Sequence, residues 1–426
     1  MRKKHFLFAS VLALLCGSST LHAQDFKLTS SGYFKNQGVD VMAFDDIYPE
    51  GHQGGVCIIM NGHRVATNGD IRLEATPGQW QPVPKQLDRK LGDNSITATL
   101  CYPDSSRHLT GFNPMIYPDL HLIYTVNVES KGKNIEVTVD LDRPIPQEFI
   151  GKVGFNLEFF PGSLFGKPWI MDGQSGIFPQ QPNSPLMTTQ PNYLHTGNYH
   201  DGKKSLADMD KLIGKGYSPI VADDIISEPY AKGTKFTSRP DDPYNKVTIE
   251  SLSGDLQLFD GRMNHNNGWF VLRSNIKPGV TKGAVKWIIT PNVVADWMYQ
   301  PVIQTSQIGY HPTQDKEAVI EMDIRDNRKE TAQIIRIDAD GEKVVKNVTP
   351  ANWGKFLRYN YLKVNFTDVK EPGLYKIKYN TSVSPIFRID NDVYARGVWQ
   401  PVLEYFLPVQ MCHMRVNEKY RVCREI

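Results

Sequence analysis

Apolar and polar residues alternate with a period of two through most of the first 300 residues, and no helical period is sustained there. Such alternation predicts β-strands with one buried face. The clearest runs flank the turn-forming residues 130–133, and their apolar members are Leu120, Leu122, Tyr124, Val126, Val128, Ile135, Val137, Val139 and Leu141. They predict an antiparallel hairpin. Many strands of this kind with polar turns predict a large β-sandwich over residues 24–300.

Residues 1–23 have the pattern of a secretory signal peptide. Three basic residues at positions 2–4 precede an apolar run at 6–15, and residues 21–23 offer a cleavage site before Gln24. The apolar run is shorter than the roughly 20 residues that span a bilayer. We therefore expect an exported chain that is periplasmic, cell-surface or extracellular.

Cys16 lies inside this leader, where a lipid-attachment cysteine could stand, but Leu15 before it is larger than the small residue expected there. A membrane contact is expected only if Cys16 carries a lipid. Loss of the three basic leader residues takes the formal charge from +2 to about −1. The mature chain therefore lacks the basic excess of a nucleic-acid-binding protein, and no nucleic-acid partner is predicted.

Four cysteines remain after the leader, too few for a disulfide scaffold in an exported chain of this length. Cys57 and Cys101 lie in apolar strand-like runs, and two buried thiols are favoured over a disulfide between them. Cys412, His413 and Cys423 lack the paired short spacing of zinc ligands. The sequence predicts no metal and no cofactor.

Between residues 161 and 243 the alternation weakens and Gly and Pro become frequent, which predicts a long insertion or several irregular loops. Trp169, Tyr193 and Tyr199 are candidate carbohydrate-binding residues in this region, since aromatic faces stack on sugar rings. The alternative, which we favour, is that these rings pin long loops to the sandwich.

Other polar pairs in this region are weaker candidates. His195 and His200 are five apart, which suits neither one helix face nor one strand face as a metal pair. Residues 223–224 and 241–242 are adjacent Asp pairs, but neighbouring strand residues point to opposite faces, and Asp is common in turns. We predict no catalytic acid and base from these residues.

A second set of short strands occupies residues 301–392. Residues 335–345 predict a hairpin around the turn Asp338-Ala339-Asp340-Gly341, and residues 371–379 predict a turn followed by an alternating strand. Strands of this length and spacing over about ninety residues fit an immunoglobulin-like sandwich without its usual disulfide.

Residues 393–426 change to a helical pattern. Apolar residues recur at spacings of three and four, which gives one apolar face: Val398, Val402, Tyr405, Phe406 and Val409. Pro401 and Pro408 weaken an isolated helix, because interior proline costs about 3 kcal/mol. The face needs a partner, either the preceding sandwich or further helices beyond residue 426; we favour the second.

Three segments of the second β region carry a family resemblance: residues 307–312 (QIGYHP), 371–375 (EPGLY) and 385–389 (PIFRI). Together they resemble the amino-terminal immunoglobulin-like domain of glycoside hydrolase family 9 cellulases. The following residues 394–412 look like the first helix of that family's (α/α)6 catalytic barrel. The resemblance covers about 301–426, so residues 24–300 form a β-sandwich domain of unknown role.

The resemblance implies an inverting glycosidase, with two carboxyl groups roughly 6.5–9.5 Å apart to admit a water. In the family the base lies in an Asp-Ala-Gly-Asp motif early in the barrel, and the acid is a Glu near its end. Neither motif is present, and residues 338–341 have a different order in a hairpin turn. No catalytic residue can be carried over to this chain.

The resemblance therefore predicts the amino-terminal portion of a secreted family 9 β-glucanase, truncated early in the barrel. The expected polymer partner is a β-glucan of the cellulose or xyloglucan type, and the expected protein partner is the missing C-terminal catalytic domain. The alternative is a non-catalytic, exported glycan-binding or structural β-sandwich protein.

Overall fold

The structure, a computed structural model, describes residues 25–45, 54–74, 76–77, 84–102, 122–182, 186–187, 226–263, 268–411, 415–416 and 420–421. The predicted leader, including Cys16, lies outside this range, as do Cys412, His413 and Cys423. The chain divides into two compact units, Met1–Trp297 and Met298–Ile426. Both consist mainly of antiparallel strands where they are described, so the mainly β prediction is confirmed.

The first unit contains strands β1 to β20 in chain order: Lys27–Leu28, Phe34–Asn36, Val39–Ala43, Val56–Met60, His63–Leu73, Lys85–Leu91, Ser95–Tyr102, Leu122–Lys131, Asn134–Leu141, Val153–Phe159, Pro168–Met171, Gln174–Ile177, Leu186–Met187, Ile226–Ser227, Ala231–Gly233, Lys235–Ser238, Val247–Ser251, Leu256–Asp260, Phe270–Asn275 and Val285–Pro291. Short 3-10 helices lie at Gln147–Phe149, Pro161–Ser163 and Gly261–Met263.

Two nine-stranded sheets account for eighteen of these strands. The first has the order β1-β2-β3-β4-β5-β10-β19-β18-β15, and the second has the order β12-β11-β16-β17-β20-β9-β8-β7-β6. β8 and β9 form the predicted hairpin in antiparallel register, with Tyr124 opposite Leu141 and Lys131 opposite Asn134. Gly132 takes a positive φ of 65° at its turn, a conformation that glycine adopts without strain.

The core of this unit is formed by residues of both sheets. Phe155 on β10 and Trp287 on β20 meet edge to face, with ring centroids 5.0 Å apart, a geometry that aromatic pairs favour. The indole Nε1 of Trp287 donates a hydrogen bond to Oγ of Ser274 on β19 at 3.0 Å. The only polar atom of this fully buried ring is therefore satisfied inside the core.

The prediction of irregular loops over residues 161–243 is wrong for the part that the structure describes. β11 and β16 pair there with each other, and β12 forms the edge of the second sheet. Proline is tolerated in such strands at their first residue or at a sheet edge, which explains Pro168 at the start of β11. The signal was hidden because each of these strands is only four residues long, and because β11 pairs with β16 from a distant part of the sequence.

The second unit contains strands β21 to β29, one helix, α1, and two short strands, β30 and β31. Their bounds are Val302–Gln304, Glu317–Asp323, Ala332–Asp338, Gly341–Val348, Ala351–Phe356, Tyr359–Asn365, Gly373–Tyr379, Ser382–Val383 and Phe387–Ile389, then Arg396–Met411 for α1, and Arg415–Val416 and Tyr420–Arg421. One sheet has the order β21-β22-β26-β25; the other has the order β24-β23-β27-β28, with β29 also paired to β27. The immunoglobulin-like prediction is confirmed.

Burial of the first unit's core can be tested with a matched pair of isoleucines. Ile289 on β20 is fully buried, whereas Ile177 on the edge strand β12 is 67% exposed. Ile289→Ala is expected to lower the free energy of unfolding by about 2–5 kcal/mol because it removes buried methyl groups and leaves a cavity. Ile177→Ala is expected to change it by less than about 0.5 kcal/mol. Urea denaturation measures both; equal losses would contradict the assigned core.

Candidate functional site

Trp169 is the one candidate carbohydrate-binding residue that lies among the described residues. Its side chain belongs to the core and is 6% exposed. The indole packs against Gly176 on the neighbouring strand, where any Cβ would collide with the ring. This burial favours the alternative that the ring anchors the chain to the sandwich. Tyr193 and Tyr199 lie outside the described residues, as do His195 and His200, and carbohydrate binding at all three aromatic residues stays a prediction.

The adjacent Asp residues 241–242 lie in a turn. The carboxylate of Asp242 accepts hydrogen bonds from the Tyr244 backbone N–H at 2.9 Å and from Nδ2 of Asn245 at 3.0 Å, and it also pairs with Arg239. These contacts hold the turn together, in agreement with the turn assignment from sequence. Residues 223–224, the other Asp pair, lie outside the described residues.

A different polar cluster crosses three neighbouring strands of the first sheet. Asp70 on β5 is opposite Asn156 on β10, and Asn156 is opposite Arg273 on β19, so the three form one row. Glu74, directly after β5, and Glu158 on β10 lie close to this row. All five residues are at most 5% exposed. Buried charged groups of this number are unusual in a sheet and are therefore the strongest candidate functional site of the first unit.

The carboxylate of Glu74 is held by two residues of the row. Its Oε1 accepts a hydrogen bond from Nδ2 of Asn156 at 2.6 Å and lies 3.3 Å from Nη1 of Arg273. Arg273 in turn donates from Nη2 to the backbone oxygens of Glu74 and Lys152, at 2.9 and 3.0 Å. The guanidinium thus ties the end of β5 to the start of β10 and fixes the carboxylate beside it.

Asp70 is held less completely. Its Oδ1 accepts hydrogen bonds from the Tyr124 hydroxyl at 3.0 Å and from the Ile71 backbone N–H at 2.7 Å. Its Oδ2 has no hydrogen-bond partner among the described residues, and Nη1 of Arg72 lies 3.8 Å away. A buried carboxylate oxygen normally has a hydrogen-bond donor, so this oxygen is an exception among the described residues.

Burial raises the pKa of both carboxyl groups toward neutrality. The pKa of Glu74 rises from its ordinary 4.5 to about 7, although the charges of Arg273 and Arg72 oppose the rise. The pKa of Asp70 rises from 3.8 to about 6, again because desolvation exceeds the attraction of Arg72. Carboxyl groups that titrate near neutral pH can donate and accept protons, which is the property that general acid–base chemistry requires.

The sequence reasoning missed this cluster because it looked for carboxylates that are adjacent in sequence. The available signal was different: Asp70, Arg72 and Glu74 take every second position at the end of β5, alternating with the apolar Ile71 and Leu73. Residues two apart lie on the same face of a strand, so this spacing indicates a charged patch. Its partners on β10 and β19 could be identified only from the strand order.

In the second unit, the three segments that carry the family resemblance meet around Tyr310. The Tyr310 N–H donates to the carbonyl oxygen of Arg388 at 2.8 Å, and the Asp390 N–H donates to the Tyr310 carbonyl at 3.1 Å. The Tyr310 hydroxyl donates to the carbonyl of Glu317 at 2.9 Å. Gly309 has a φ of 92°, and a Cβ there would collide with the Arg388 carbonyl. Glycine before this tyrosine is therefore a steric requirement.

Aromatic packing joins the remaining segments to the same point. Phe387 lies 5.3 Å from Tyr310, edge to face, and stacks on Tyr375 with centroids 6.1 Å apart. The Tyr375 hydroxyl donates to the carbonyl of Glu371 at 2.8 Å, which fixes the turn at residues 371–373. The three segments are thus parts of one packing unit.

A buried lysine organises the loop after Tyr310. Nζ of Lys316 donates to the carbonyl oxygens of Pro312 at 2.8 Å and Gln314 at 2.9 Å, and more weakly to that of His311 at 3.4 Å. Burial lowers the pKa of this ammonium group. Because Lys316 is fully buried, the carbonyl oxygens replace the water that would otherwise solvate its charge.

Large apolar side chains between residues 399 and 406 of helix α1 are exposed. The exposed fractions are 65% for Val402, 73% for Tyr405 and 54% for Phe406. Trp399 is 43% exposed and donates from Nε1 to the Tyr394 carbonyl at 3.0 Å. Among the described residues, no part of the sandwich covers Val402, Tyr405 or Phe406.

Among the described residues of both units, no group of three or more His, Cys, Asp and Glu side chains could hold a metal ion. In the same part of the chain, no helix has the length and apolar character needed to cross a membrane.

Comparisons with known proteins identify the second unit. Residues 298–384 match the family described as "Cellulase N-terminal ig-like domain". No curated protein matches the chain. A solved structure, "Crystal Structure Analysis of HI1317", is similar at 7% identity over 63% of this chain and 99% of that chain, with a TM-score of 0.25. Residues 298–384 therefore form a cellulase-type immunoglobulin-like domain.

The raised pKa of Glu74 predicts a pH-dependent stability. The folded state keeps the Glu74 proton, which the unfolded state releases above about pH 4.5. The stabilisation that this proton provides is therefore complete below pH 4.5 and is lost as the pH rises through 7. Glu74→Gln keeps the oxygen acceptor and removes the titration. Between pH 4.5 and 8 the free energy of unfolding of the variant is expected to gain up to about 3 kcal/mol relative to wild type.

Denaturant titrations at several pH values measure this difference. Glu250→Gln is the control, because Glu250 lies on the surface, 45% exposed beside Lys235, and its variant should follow the wild-type pH profile. A Glu74→Gln variant with the same pH dependence as wild type would show that Glu74 is not buried with a raised pKa.

Proposed function

We propose that this chain is the amino-terminal portion of a secreted, inverting glycoside hydrolase of family 9. The enzyme hydrolyses β-1,4-glucosidic bonds in cellulose-like or xyloglucan-type polysaccharides. The observation that carries the proposal is the cellulase-type immunoglobulin-like domain at residues 298–384, with an amphipathic helix, α1, shortly after it in the chain.

The exposed face of α1 supports a helical neighbour. Large apolar residues such as Val402, Tyr405 and Phe406 are more than half exposed, and an exposed apolar patch on a helix marks a surface that another element covers. In the proposed enzyme that element is a further helix of the catalytic barrel. Pro401 and Pro408 lie inside α1, and packing in such a barrel would offset their cost.

The catalytic carboxyl groups of the proposed enzyme are not assigned to this chain. Asp338, in the segment closest in letters to the family's base motif, ends β23 and accepts a hydrogen bond from Nε of Arg336 at 2.9 Å. Asp340 lies in the tight turn before β24. Both serve a β-hairpin of the immunoglobulin-like domain. The leader at residues 1–23 supports secretion.

The proposal is tested by hydrolysis of soluble β-1,4-glucan. The full-length product of the gene is expected to release reducing sugar, and the 426-residue chain is expected to release none, since it carries neither catalytic carboxyl group. The assay measures reducing ends, with NMR of the first anomer released to establish inversion. Release by the 426-residue chain would reveal a site within it and contradict the assignment.

Absence of hydrolysis by the full-length product on cellulose derivatives, xyloglucan and mixed-linkage glucan would also contradict the proposal. That result would favour the exported glycan-binding or structural protein.

A further inference from the structure

One face of the sheet β21-β22-β26-β25 carries a row of aromatic residues, here called the aromatic strip: Tyr299, Trp353, Tyr359 and Tyr361. On β26 the residues alternate, with Tyr359 and Tyr361 half-buried on this face and Asn360 and Leu362 buried on the other. Trp353 comes from the neighbouring edge strand β25. The strip therefore lies on the outer face of the four-stranded sheet.

The rings of the strip are in continuous contact. Ring centroids are 5.1 Å apart for Tyr299 and Tyr359, 6.1 Å for Tyr359 and Tyr361, and 5.7 Å for Tyr361 and Trp353. These separations, with ring planes inclined by 51–90°, are those of tilted and edge-to-face aromatic packing. The plane of Trp353 stands at 90° to that of Tyr361, so the two rings form a corner rather than a flat plane.

A carboxylate lies within the strip. Glu321 on β22 is opposite Tyr361 in the sheet. Its Oε1 accepts a hydrogen bond from the Tyr299 hydroxyl at 2.9 Å, and its Oε2 accepts one from the Tyr361 hydroxyl at 3.2 Å. Each carboxylate oxygen keeps further acceptor capacity. The face thus combines apolar ring surfaces with a fixed acceptor for hydroxyl groups.

The exposed end of the strip is apolar. Trp353 is 56% exposed, and Phe356, which is paired with Tyr359 at the end of β25, is also 56% exposed. Cross-strand aromatic pairs stabilise sheets, and that effect accounts for the contacts of Tyr359 and Tyr361. It does not account for large, solvent-exposed rings on an edge strand, because natural proteins usually protect edge strands with charged residues.

We infer that the aromatic strip binds a single β-linked glucan chain, with Trp353 stacking on a sugar ring and Glu321 accepting hydrogen bonds from sugar hydroxyls. The choice of β-glucan rests on the proposed function. Aromatic stacking with a few placed polar groups is the usual chemistry of such a site. The corner between Trp353 and Tyr361 favours one soluble chain over the flat surface of crystalline cellulose, which needs coplanar rings.

Charge favours a glycan over a protein partner. The buried centre of a protein interface is usually depleted in Lys and Glu. On this face Glu321 lies in the middle of the strip, and a Lys363–Glu317 ion pair at 2.8 Å occupies the same two strands. Sugar hydroxyls can pair with such groups without removing their charge from water.

The test is affinity electrophoresis of the 426-residue chain in gels containing hydroxyethylcellulose, a soluble derivative of β-1,4-glucan. Wild type is expected to be retarded, and Trp353→Ala is expected to weaken the apparent Kd about tenfold or more through loss of stacking. Trp399→Ala is the matched control, since Trp399 is a comparably exposed tryptophan, at 43%, on α1. It should bind as wild type does.

Glu321→Gln is a second variant that keeps the size of the side chain. It is expected to weaken binding severalfold with an unchanged Tm, and it covers the case in which Trp353→Ala fails to fold. No retardation of wild type, or equal retardation of wild type and Trp353→Ala, would overturn the inference. Trp353→Ala that binds glucan as wild type does, but no longer associates with the separately produced remainder of the enzyme, would identify a protein interface. That result would also overturn the inference.

The binding assay needs no catalysis, so its outcome is independent of the hydrolysis assay. Retardation that depends on Trp353, together with an inactive full-length product, would keep the glucan site and remove the proposed enzyme. Hydrolysis by the full-length product without retardation of this chain would keep the proposed enzyme and remove the glucan site.

Discussion

Burial of apolar sheet faces is the constraint on which both units depend. In the first unit, Phe155 and Trp287 contact each other between the two nine-stranded sheets, and a hydrogen bond to Ser274 satisfies the indole nitrogen. The row of Asp70, Asn156 and Arg273 is buried as well, so its charged groups lie away from water. Burial then moves the carboxyl pKa values toward neutrality.

In the second unit, three short segments that are far apart in sequence pack against one another. A steric contact requires glycine at position 309. Tyr310 is hydrogen-bonded through its N–H, its carbonyl oxygen and its hydroxyl, and Phe387 packs against its ring. Each residue is constrained by the others, although they are far apart in sequence. The segments at 307–312, 371–375 and 385–389 therefore form one structural unit.

Period-two alternation was sufficient to predict the mainly β fold, the β8–β9 hairpin and the hairpin around residues 338–341, because strand periodicity and turn chemistry are local. It was insufficient for β11 and β12, because each strand is only four residues long, and for the charged row, because that row depends on which strands become neighbours. The burial of Trp169 and the exposure of Trp353 likewise follow from strand position in the sheet. Aromatic residues in loops and in strands look alike in the sequence.

We propose that α1 begins a helical catalytic domain that covers its apolar face. Hydrogen exchange of residues 396–411 tests this directly, because amide protection reports packing around a helix. The account predicts fast exchange in the 426-residue chain and strong protection in the full-length product of the gene. Equal exchange in both proteins would contradict it.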